Sequence, residues 1–271
     1  CSSDLLLFPG RKRPGFRTII NTSRVSKCHP ADNRRFFHLA LHHTMTAIMR
    51  PSLAESLAQT VWADALTPEQ RARVERDTIE RFFEAGTYVC RKGDPVEYWM
   101  GVTDGLLKMS SVSPQGKAVT FTGMLAGGWF GEGSLLKTGG RLYDVVALRD
   151  SYVAFMPRAT FNWLLDNSIG FNRFLLNQLN ARLGLFISLV EVDRSLDADA
   201  RVARCIASLF NRDLNPAGGT ELQISQEELG YLCSMSRQRA NQALQVLERA
   251  GLLKLDYRGL TVLDLDGLRT F

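Results

Sequence analysis

Five polar side chains share one face of a predicted helix near the C-terminal end of the chain. They lie one, four, five and eight residues after the first, which places them side by side on a helix: Arg237, Gln238, Asn241, Gln242 and Gln245. Arginine can donate two hydrogen bonds to guanine, and Gln or Asn can both donate to and accept from adenine. A merely solvated helix face would more typically carry Glu and Lys. The residue types therefore indicate a surface that reads DNA bases.

Capping signals place this face on the second of two short helices. In the stretch "ISQEELGYLC", Ser225 is followed three residues later by Glu228, which is the pattern of a capping box. The residues "SMS" supply a tight turn, Ser236 caps the next helix, and Gly251 is a typical helix end. The two helices and the tight turn predict a helix-turn-helix.

A β-hairpin is predicted to follow, because "LLKLDYRGLTVLDL" alternates apolar and polar residues and turns near Tyr257. Residues 197–271 are therefore predicted to form a winged helix-turn-helix, whose second helix enters the major groove. Helix N-termini also attract phosphate groups. The predicted DNA-contacting residues are Ser225, Ser236, Arg237, Gln238, Arg239, Asn241 and Gln242.

A single long helix is predicted over residues 169–196, just before this DNA-binding domain. At 1.5 Å per residue it is about 40 Å long, more than a small domain needs for its own packing. Its apolar residues keep a three-or-four spacing that suits a partner helix: Phe171, Leu175, Leu179, Phe186, Leu189 and Val190. We expect a homodimer through this helix. A helix packed only on its own domain remains the alternative.

The sequence pattern of residues 51–168 changes from helical to strand-like along their length. Helical spacing of apolar residues from Leu53 to Phe82 is interrupted at Thr67-Pro68, where a second helix is predicted to begin. From Gly86 to Met156 glycines recur between short apolar runs, which is typical of a β-sandwich or small barrel, with one hairpin turn predicted at 114–116. The predicted fold class is α+β: an N-terminal β-roll, a long dimerisation helix and a winged helix-turn-helix.

Residues 1–50 are predicted to be a disordered extension. They carry nine Lys/Arg and two Asp/Glu, so the net charge of +5 resides here and the remainder is slightly acidic. The segment has no sustained helical or strand period. A transit-like segment is one alternative. A zinc site from Cys28, His38 and His42 is another, although only the two histidines have ligand spacing.

Several functional classes are disfavoured by what the sequence lacks. It has no apolar run of about 18 residues, so we expect a cytoplasmic globular protein without a membrane partner. The five scattered cysteines form no CxxC pair, and residues after 50 contain no histidine, so Fe–S and haem sensing are disfavoured. Nucleotide-binding and hydrolase motifs of enzymes are absent. A signalling scaffold that does not bind DNA remains an alternative.

Two stretches carry a resemblance to a known family, over about residues 55–269. They are "VSPQGKAVTFTGMLAGGWFGEGSLL" in the predicted roll and "ISQEELGYLCSMSRQRANQALQVLERAGLL" in the predicted DNA-binding domain. Together with the order of elements, they resemble the Crp/Fnr superfamily of dimeric bacterial transcription regulators. The resemblance implies double-stranded DNA with an inverted-repeat operator, and RNA polymerase, as partners. Its base-reading positions match Arg237, Gln238 and Gln242; the cyclic-AMP receptor branch has Arg, Glu and Arg there.

The same resemblance implies an effector site in the roll. Cyclic-nucleotide-binding members place a glutamate like Glu132 on the ribose and an arginine like Arg141 on the cyclic phosphate. Here Leu142-Tyr143 follow the arginine where Ser/Thr and Ala are expected, and the adenine-facing positions fall near Phe186-Ile187. We therefore predict that cyclic AMP binds weakly or not at all. A different small ligand, no ligand, or a surface ion pair between Glu132 and Arg141 remain open.

Overall fold

The computed structural model describes four stretches of the chain: 50–112, 118–195, 197–216 and 219–271. Apart from Arg50, the predicted extension lies outside the described residues, as do its zinc-site alternative and the hairpin turn at 114–116. No helix within the described stretches is both long and apolar enough to cross a bilayer.

Two capped helices lead into the roll. Helix α1 spans Leu53–Ala58, and α2 spans Pro68–Asp77, with a 3₁₀ turn at Ala63–Ala65 between them. Thr67 accepts a hydrogen bond from the backbone N–H of Gln70, and Pro68 occupies the first helical position, which confirms the predicted helix start.

The expected helical face does not extend to Ile79 and Phe82. These residues lie in strand β1, Ile79–Phe83, where they pair with Phe155 and Tyr152 of a neighbouring strand. The prediction was wrong because "TIERFF" also alternates like a strand, and pairing with a distant strand decides between the two periods. Contacts of the roll already begin at Arg50, whose guanidinium donates to both oxygens of Glu80 at 2.7 Å.

The roll consists of two four-stranded antiparallel sheets, with strand orders β1-β8-β3-β6 and β2-β7-β4-β5. After β1, the strands are β2 Tyr88–Cys90, β3 Tyr98–Asp104, β4 Leu106–Val112, β5 Ala118–Leu125, β6 Trp129–Phe130, β7 Asp144–Ala147 and β8 Ser151–Pro157. The short helix α3, Glu132–Leu135, lies between β6 and β7, and α4, Arg158–Asn167, follows β8. Strands β4 and β5 pair as the predicted hairpin requires.

Helix α5 spans Ile169–Ser195, and its first two turns pack into the core of the roll. Phe171 and Leu175 are buried in an aromatic cluster with Trp62, Trp99 and Trp129. These two residues were expected to face a partner helix, and that part of the prediction was wrong. Among the side chains of α5 that the structure describes, 169–189, the exposed apolar ones are Ile169, Leu176, Leu183, Phe186 and Ile187.

The C-terminal domain has the predicted winged helix-turn-helix. Its elements are α6 Ala198–Leu209, β9 Glu221–Leu222, α7 Gln226–Leu232, α8 Arg237–Arg249, β10 Leu253–Asp256, β11 Gly259–Val262 and α9 Leu265–Thr270. The hairpin β10-β11 turns at 257–258 as predicted and gains β9 as a third strand. A Cβ atom on Gly230 would lie 3.0 Å from the carbonyl oxygen of Met235, so glycine permits the tight turn between α7 and α8.

This domain packs directly against the roll. Leu106 of β4 belongs to the same buried cluster as Leu209 and Leu232. Arg149, in the loop between β7 and β8, donates to Glu228 and to the carbonyl oxygen of Gln223, both at 2.7 Å. The roll therefore contacts the capping box of α7, which links the two domains at the start of the helix-turn-helix.

Candidate DNA-reading surface and effector site

Three residues that were predicted to read bases lie together on the exposed side of α8. Arg237, Gln238 and Gln242 are exposed, and so is Gln245 one turn further on. The opposite side of α8 packs into the core through Ala240, Ala243, Leu244 and Leu247. We call the exposed set Arg237, Gln238, Gln242 and Gln245 the reading face. The apolar residues thus fix the rotation of α8 and leave the side chains of the reading face exposed to solvent.

The two predicted serines serve as helix caps. Ser225 Oγ accepts from the backbone N–H of Glu228 at 3.1 Å, and the Glu228 carboxylate accepts from the backbone N–H of Ser225 at 2.7 Å. Ser236 Oγ accepts from the backbone N–H of Arg239 at 3.2 Å. Each hydroxyl still has its own proton to donate, so capping and a phosphate contact are compatible.

The remaining two predicted DNA contacts are engaged within the domain. Arg239 donates from Nη1 to Asp199 of α6 at 2.6 Å and is half-buried. Asn241 accepts at Oδ1 from Nε2 of Gln226, the first residue of α7, at 2.9 Å. The structure therefore places these side chains beside the reading face, with Arg239 turned towards α6 and Asn241 towards α7.

A cleft of about 400 Å³ lies between the hairpin wing and the two helices. Arg237 and Gln226 line it from the helices, and Tyr257 and Arg258 line it from the wing tip. Tyr257 is 100% exposed, which is unusual for a large aromatic residue. Sequence reasoning located the turn but did not single out this aromatic–arginine pair, although a Tyr-Arg dipeptide at a hairpin tip was a visible signal.

The candidate effector residue Glu132 lies at the start of α3 in the interior of the roll. It is 1% exposed, and its Oε1 accepts from Arg182 Nε at 2.7 Å. Its Oε2 has no hydrogen-bond partner among the described residues. Gly131 precedes it with φ +99°, and a Cβ there would lie 2.9 Å from Arg141 Nη1. A side chain at position 131 would therefore be strained and would crowd the Arg141 guanidinium.

Arg141 is 3% exposed and donates from Nη2 to the carbonyl oxygen of Tyr98 at 2.8 Å. Its Nη1 has no partner within the described part of the chain. The alternative of a surface ion pair with Glu132 is therefore wrong, because both residues are buried and Glu132 pairs with Arg182 of α5. A buried guanidinium N–H without a partner is costly and is suited to receive an anion.

Two residues of α5 complete this site, and sequence reasoning missed both. Gln178 and Arg182 donate to the carbonyl oxygen of Trp129, and Gln178 is 1% exposed. Gln178 Oε1 lacks a partner in the residues that the structure describes. We call Glu132, Arg141, Gln178 and Arg182 the buried polar cluster. Helix α5 was expected to approach the effector near Phe186-Ile187, one turn further on; Phe186 contacts Phe121 edge-on and Ile187 is exposed.

Burial shifts two further ionisable groups around the cluster. Burial, followed by the Glu132 charge, raises the pKa of Tyr143 to about 12. Burial likewise raises the pKa of the Cys90 thiol to about 11. Leu142, by contrast, is exposed. At neutral pH the cluster is therefore bordered by an uncharged phenol and an uncharged thiol, and by one exposed apolar side chain where the resemblance implied a hydroxyl.

Comparisons with known proteins match both domains. Residues 80–168 match the family described as a cyclic nucleotide-binding domain, and residues 200–271 match a Crp-like helix-turn-helix domain. Among characterised relatives, a CRP-like cAMP-activated global transcriptional regulator of Mycobacterium tuberculosis is 24% identical over 79% of this chain and 97% of its own length. The cAMP-activated global transcriptional regulator CRP of Haemophilus influenzae is 22% identical, over 70% and 90%.

A solved structure shares the fold. FixK2 from Bradyrhizobium japonicum superposes with a TM-score of 0.58 at 18% identity, covering 71% of this chain and 96% of its own. The matched families occupy the roll and the winged domain in that order, and the relatives are transcription regulators rather than enzymes. On these findings, the chain belongs to the Crp/Fnr superfamily of transcription regulators.

Proposed function

We propose that the protein is a homodimeric transcription factor that binds an inverted-repeat operator and reads each half-site with α8. The observation that carries this proposal is the reading face: Arg237, Gln238 and Gln242 are exposed at the capped start of the second helix of a helix-turn-helix. This is the part of such a domain that enters the major groove. We place this activity in the cytoplasm, where bacterial DNA lies, with RNA polymerase as a further partner.

The exposed apolar residues of α5 support the dimer. Ile169, Leu176 and Leu183 are spaced seven residues apart, and the latter two are 66% and 58% exposed. A seven-residue repeat of exposed apolar side chains is the pattern of a two-stranded coiled coil. A second copy of α5 would cover this stripe and place two reading helices about 34 Å apart, one turn of DNA.

Mass measurement tests the dimer. Leu183→Glu puts a charge into the proposed seam and should convert the dimer to monomer, seen by analytical ultracentrifugation. Val61→Glu is the matched control, because Val61 is 55% exposed but lies outside α5. A wild-type monomer, or a Leu183→Glu dimer as tight as wild type, contradicts the proposed seam.

We infer that the effector carries an anionic group and a hydrogen-bond donor. Arg141 Nη1 would receive the anion, and Glu132 Oε2 would accept from the donor; neither atom has a partner among the described residues. A cyclic nucleotide has both groups, and the cAMP-activated relatives favour this class. Leu142 and Phe186 stand where polar partners are expected, so cyclic AMP itself should bind weakly.

Calorimetry with cyclic AMP tests this second inference. We expect a dissociation constant weaker than micromolar, since each missing polar partner removes about 1 to 3 kcal/mol. Micromolar binding that Arg141→Ala abolishes would show that the predicted weakness is wrong. A screen of anionic metabolites by thermal shift should find the effector, because a bound ligand raises the unfolding midpoint.

Selection from random double-stranded DNA tests the proposed function itself. The full chain should enrich an inverted repeat with half-sites about 10 base pairs apart, at one stated salt concentration. Enrichment of no motif, together with equal binding to all sequences or to none, would favour the scaffold alternative.

A further inference from the structure

A side chain of α7 holds Asn241, one of the predicted DNA-contacting side chains of α8. Gln226 is the first residue of α7, and its Nε2 donates to Oδ1 of Asn241 at 2.9 Å. Asn241 lies on the second turn of α8, between Gln238 and Gln242. Both amides are half-buried, and Gln226 also lines the cleft that Arg237 and the wing enclose. The pair therefore bridges the two helices next to the reading face.

The neighbouring amides differ from Asn241. Gln238 and Gln242 are exposed and make no side-chain hydrogen bond to another described residue. Each can rotate to present either its carbonyl oxygen or its amino group to DNA. The side-chain oxygen of Asn241 accepts a hydrogen bond from Gln226, so the amino group of Asn241 points away from this contact.

We propose that Gln226 is a positioning residue that makes Asn241 a hydrogen-bond donor to the DNA, and that this sets one base preference. The inference rests on the proposed function. Gln226 Nε2 has a second N–H, which the half-exposed site leaves available for a phosphate oxygen. Asn241 Nδ2 then donates to a base acceptor in the major groove, such as guanine O6 or N7 or thymine O4.

The geometry distinguishes this from the usual reading of asparagine. A free Asn can pair with adenine through both ends of its amide, donating to N7 and accepting from N6. Asn241 is held with its oxygen directed at α7, so this two-bond pair must either use the second lone pair of that oxygen or break the contact with Gln226. The restraint also fixes the side chain before DNA arrives, which reduces the entropy lost on binding.

A purely structural contact between α7 and α8 predicts something else. If the pair only joined the two helices, its loss would lower the unfolding midpoint and leave base preference unchanged. Base preference is therefore the readout that separates the two roles, and a thermal melt of each variant checks that it is folded.

The experiment is selection from random DNA with six full-length proteins at one salt concentration: wild type, Gln226→Ala, Asn241→Ala, the double variant, Gln226→Glu and the control Arg249→Ala. Gln226→Ala and Asn241→Ala should each reduce discrimination at the same base position by about tenfold, the effect of losing one good base contact. The double variant should lose no more than either single variant, because the two residues act as a unit.

The Gln226→Glu variant is the most specific test, because it should reverse which end of the Asn241 amide faces the DNA. Its carboxylate can only accept, so the Asn241 amide must turn to donate to it and present its oxygen towards the DNA. The preferred base at that position should change to one with a donor, cytosine N4 or adenine N6. The added negative charge weakens binding to all sequences alike, so the comparison is made between bases. Arg249→Ala, an exposed residue at the far end of the same helix and outside the reading face, is the control that leaves this position unchanged.

Three results overturn the proposal. If wild type enriches a motif and Gln226→Ala enriches the same motif, Gln226 does not position Asn241. If the two single variants affect different base positions, and their effects add in the double variant, the two residues act separately. Wild type that enriches no motif rejects the proposed function and this inference with it.

Discussion

The buried polar cluster of the roll and the reading face of α8 use the same chemistry in opposite settings. Both contain arginine and glutamine side chains. Glu132, Arg141 and Gln178 are at most 3% exposed, whereas Arg237, Gln238 and Gln242 lie open to solvent. A buried polar group is fixed by its surroundings and destabilises the fold when a partner is lost, whereas an exposed group is solvated by water. Substitutions in the cluster should therefore change stability, and those on the reading face should change only DNA binding.

The cluster is also incompletely paired. Of the described residues, none satisfies Glu132 Oε2, Arg141 Nη1 or Gln178 Oε1. Each such atom costs about 1 to 3 kcal/mol relative to one that is hydrogen-bonded. Folds retain unpaired buried polar groups mainly where function requires them. A ligand that formed hydrogen bonds with these atoms would remove this free-energy cost and stabilise the fold.

The largest expected effect follows from removing Arg182. Arg182→Met leaves the Glu132 carboxylate buried without its ion-pair partner, which should lower the free energy of unfolding by about 3 to 5 kcal/mol. Chemical denaturation at fixed protein concentration measures it. The double variant Glu132→Leu with Arg182→Met removes both charges and should recover most of the loss.

The control is a surface ion pair of the same type. Arg71 lies 3.9 Å from Asp64, with the two side chains 44% and 89% exposed. Arg71→Met should cost no more than about 1 kcal/mol. Equal losses for Arg71→Met and Arg182→Met would contradict the contrast between buried and exposed charges.

The second effect is on the reading face. Arg237→Ala should weaken specific DNA binding by about 1 to 3 kcal/mol and flatten one base position, because a guanine contact is lost. Its unfolding midpoint should match that of wild type. Arg249→Ala, at the other end of α8, is the control and should leave base preference intact. Uniform weakening on all sequences by Arg237→Ala would show that this arginine contacts a phosphate.

The parts of the fold that the sequence predicted correctly depend on local signals. The capping residues Ser225 and Glu228, the Thr67-Pro68 helix start and the helix end at Gly251 act within a few residues, and the structure has all of them. The reading face was visible for the same reason, since it lies on a single helix. Local chemistry is enough to position such elements.

The errors involve contacts between distant segments. Ile79 belongs to a strand because it pairs with Phe155 of β8, far along the chain. Arg182 and Gln178 reach the roll only because Phe171 and Leu175 anchor α5 in its core. The Gln226–Asn241 contact likewise joins two helices. Single-sequence patterns contain no signal for such pairings, so the buried polar cluster could be predicted only in part.

A smaller effect is expected for Gln238→Glu. Glutamate can only accept, which favours cytosine N4, whereas Gln238 can donate or accept. The variant should shift the preferred base at one position by about 1 to 3 kcal/mol of relative affinity while leaving stability unchanged. Selection from random DNA beside wild type measures the shift. An unchanged base preference would place Gln238 outside the major-groove contacts.

The smallest expected effect is a loss of stability at alkaline pH, and it concerns Tyr143, which lies beside the buried polar cluster. Its pKa is raised to about 12 by burial and by Glu132, from a usual value near 10. As pH rises, the unfolded chain therefore loses the Tyr143 hydroxyl proton before the folded chain does. The contribution of this group to the free energy of unfolding is complete below about pH 10 and is lost as pH rises from about 10 to 12. The loss should grow steadily across this pH range.

Tyr143→Phe should remove this part of the alkaline decline in unfolding free energy, measured by denaturation between about pH 9 and 11, where the difference from wild type develops. Tyr257→Phe is the matched control, because the Tyr257 ring is 100% exposed at the wing tip and its hydroxyl meets water in both the folded and unfolded states. Of these two tyrosines, only Tyr143 should couple folding to proton binding, so one pair of Tyr→Phe substitutions compares the two regions directly. Parallel pH profiles for both variants would mean that the Tyr143 hydroxyl is as well solvated as that of Tyr257, and that the interior around Glu132 is wetter than its packing indicates.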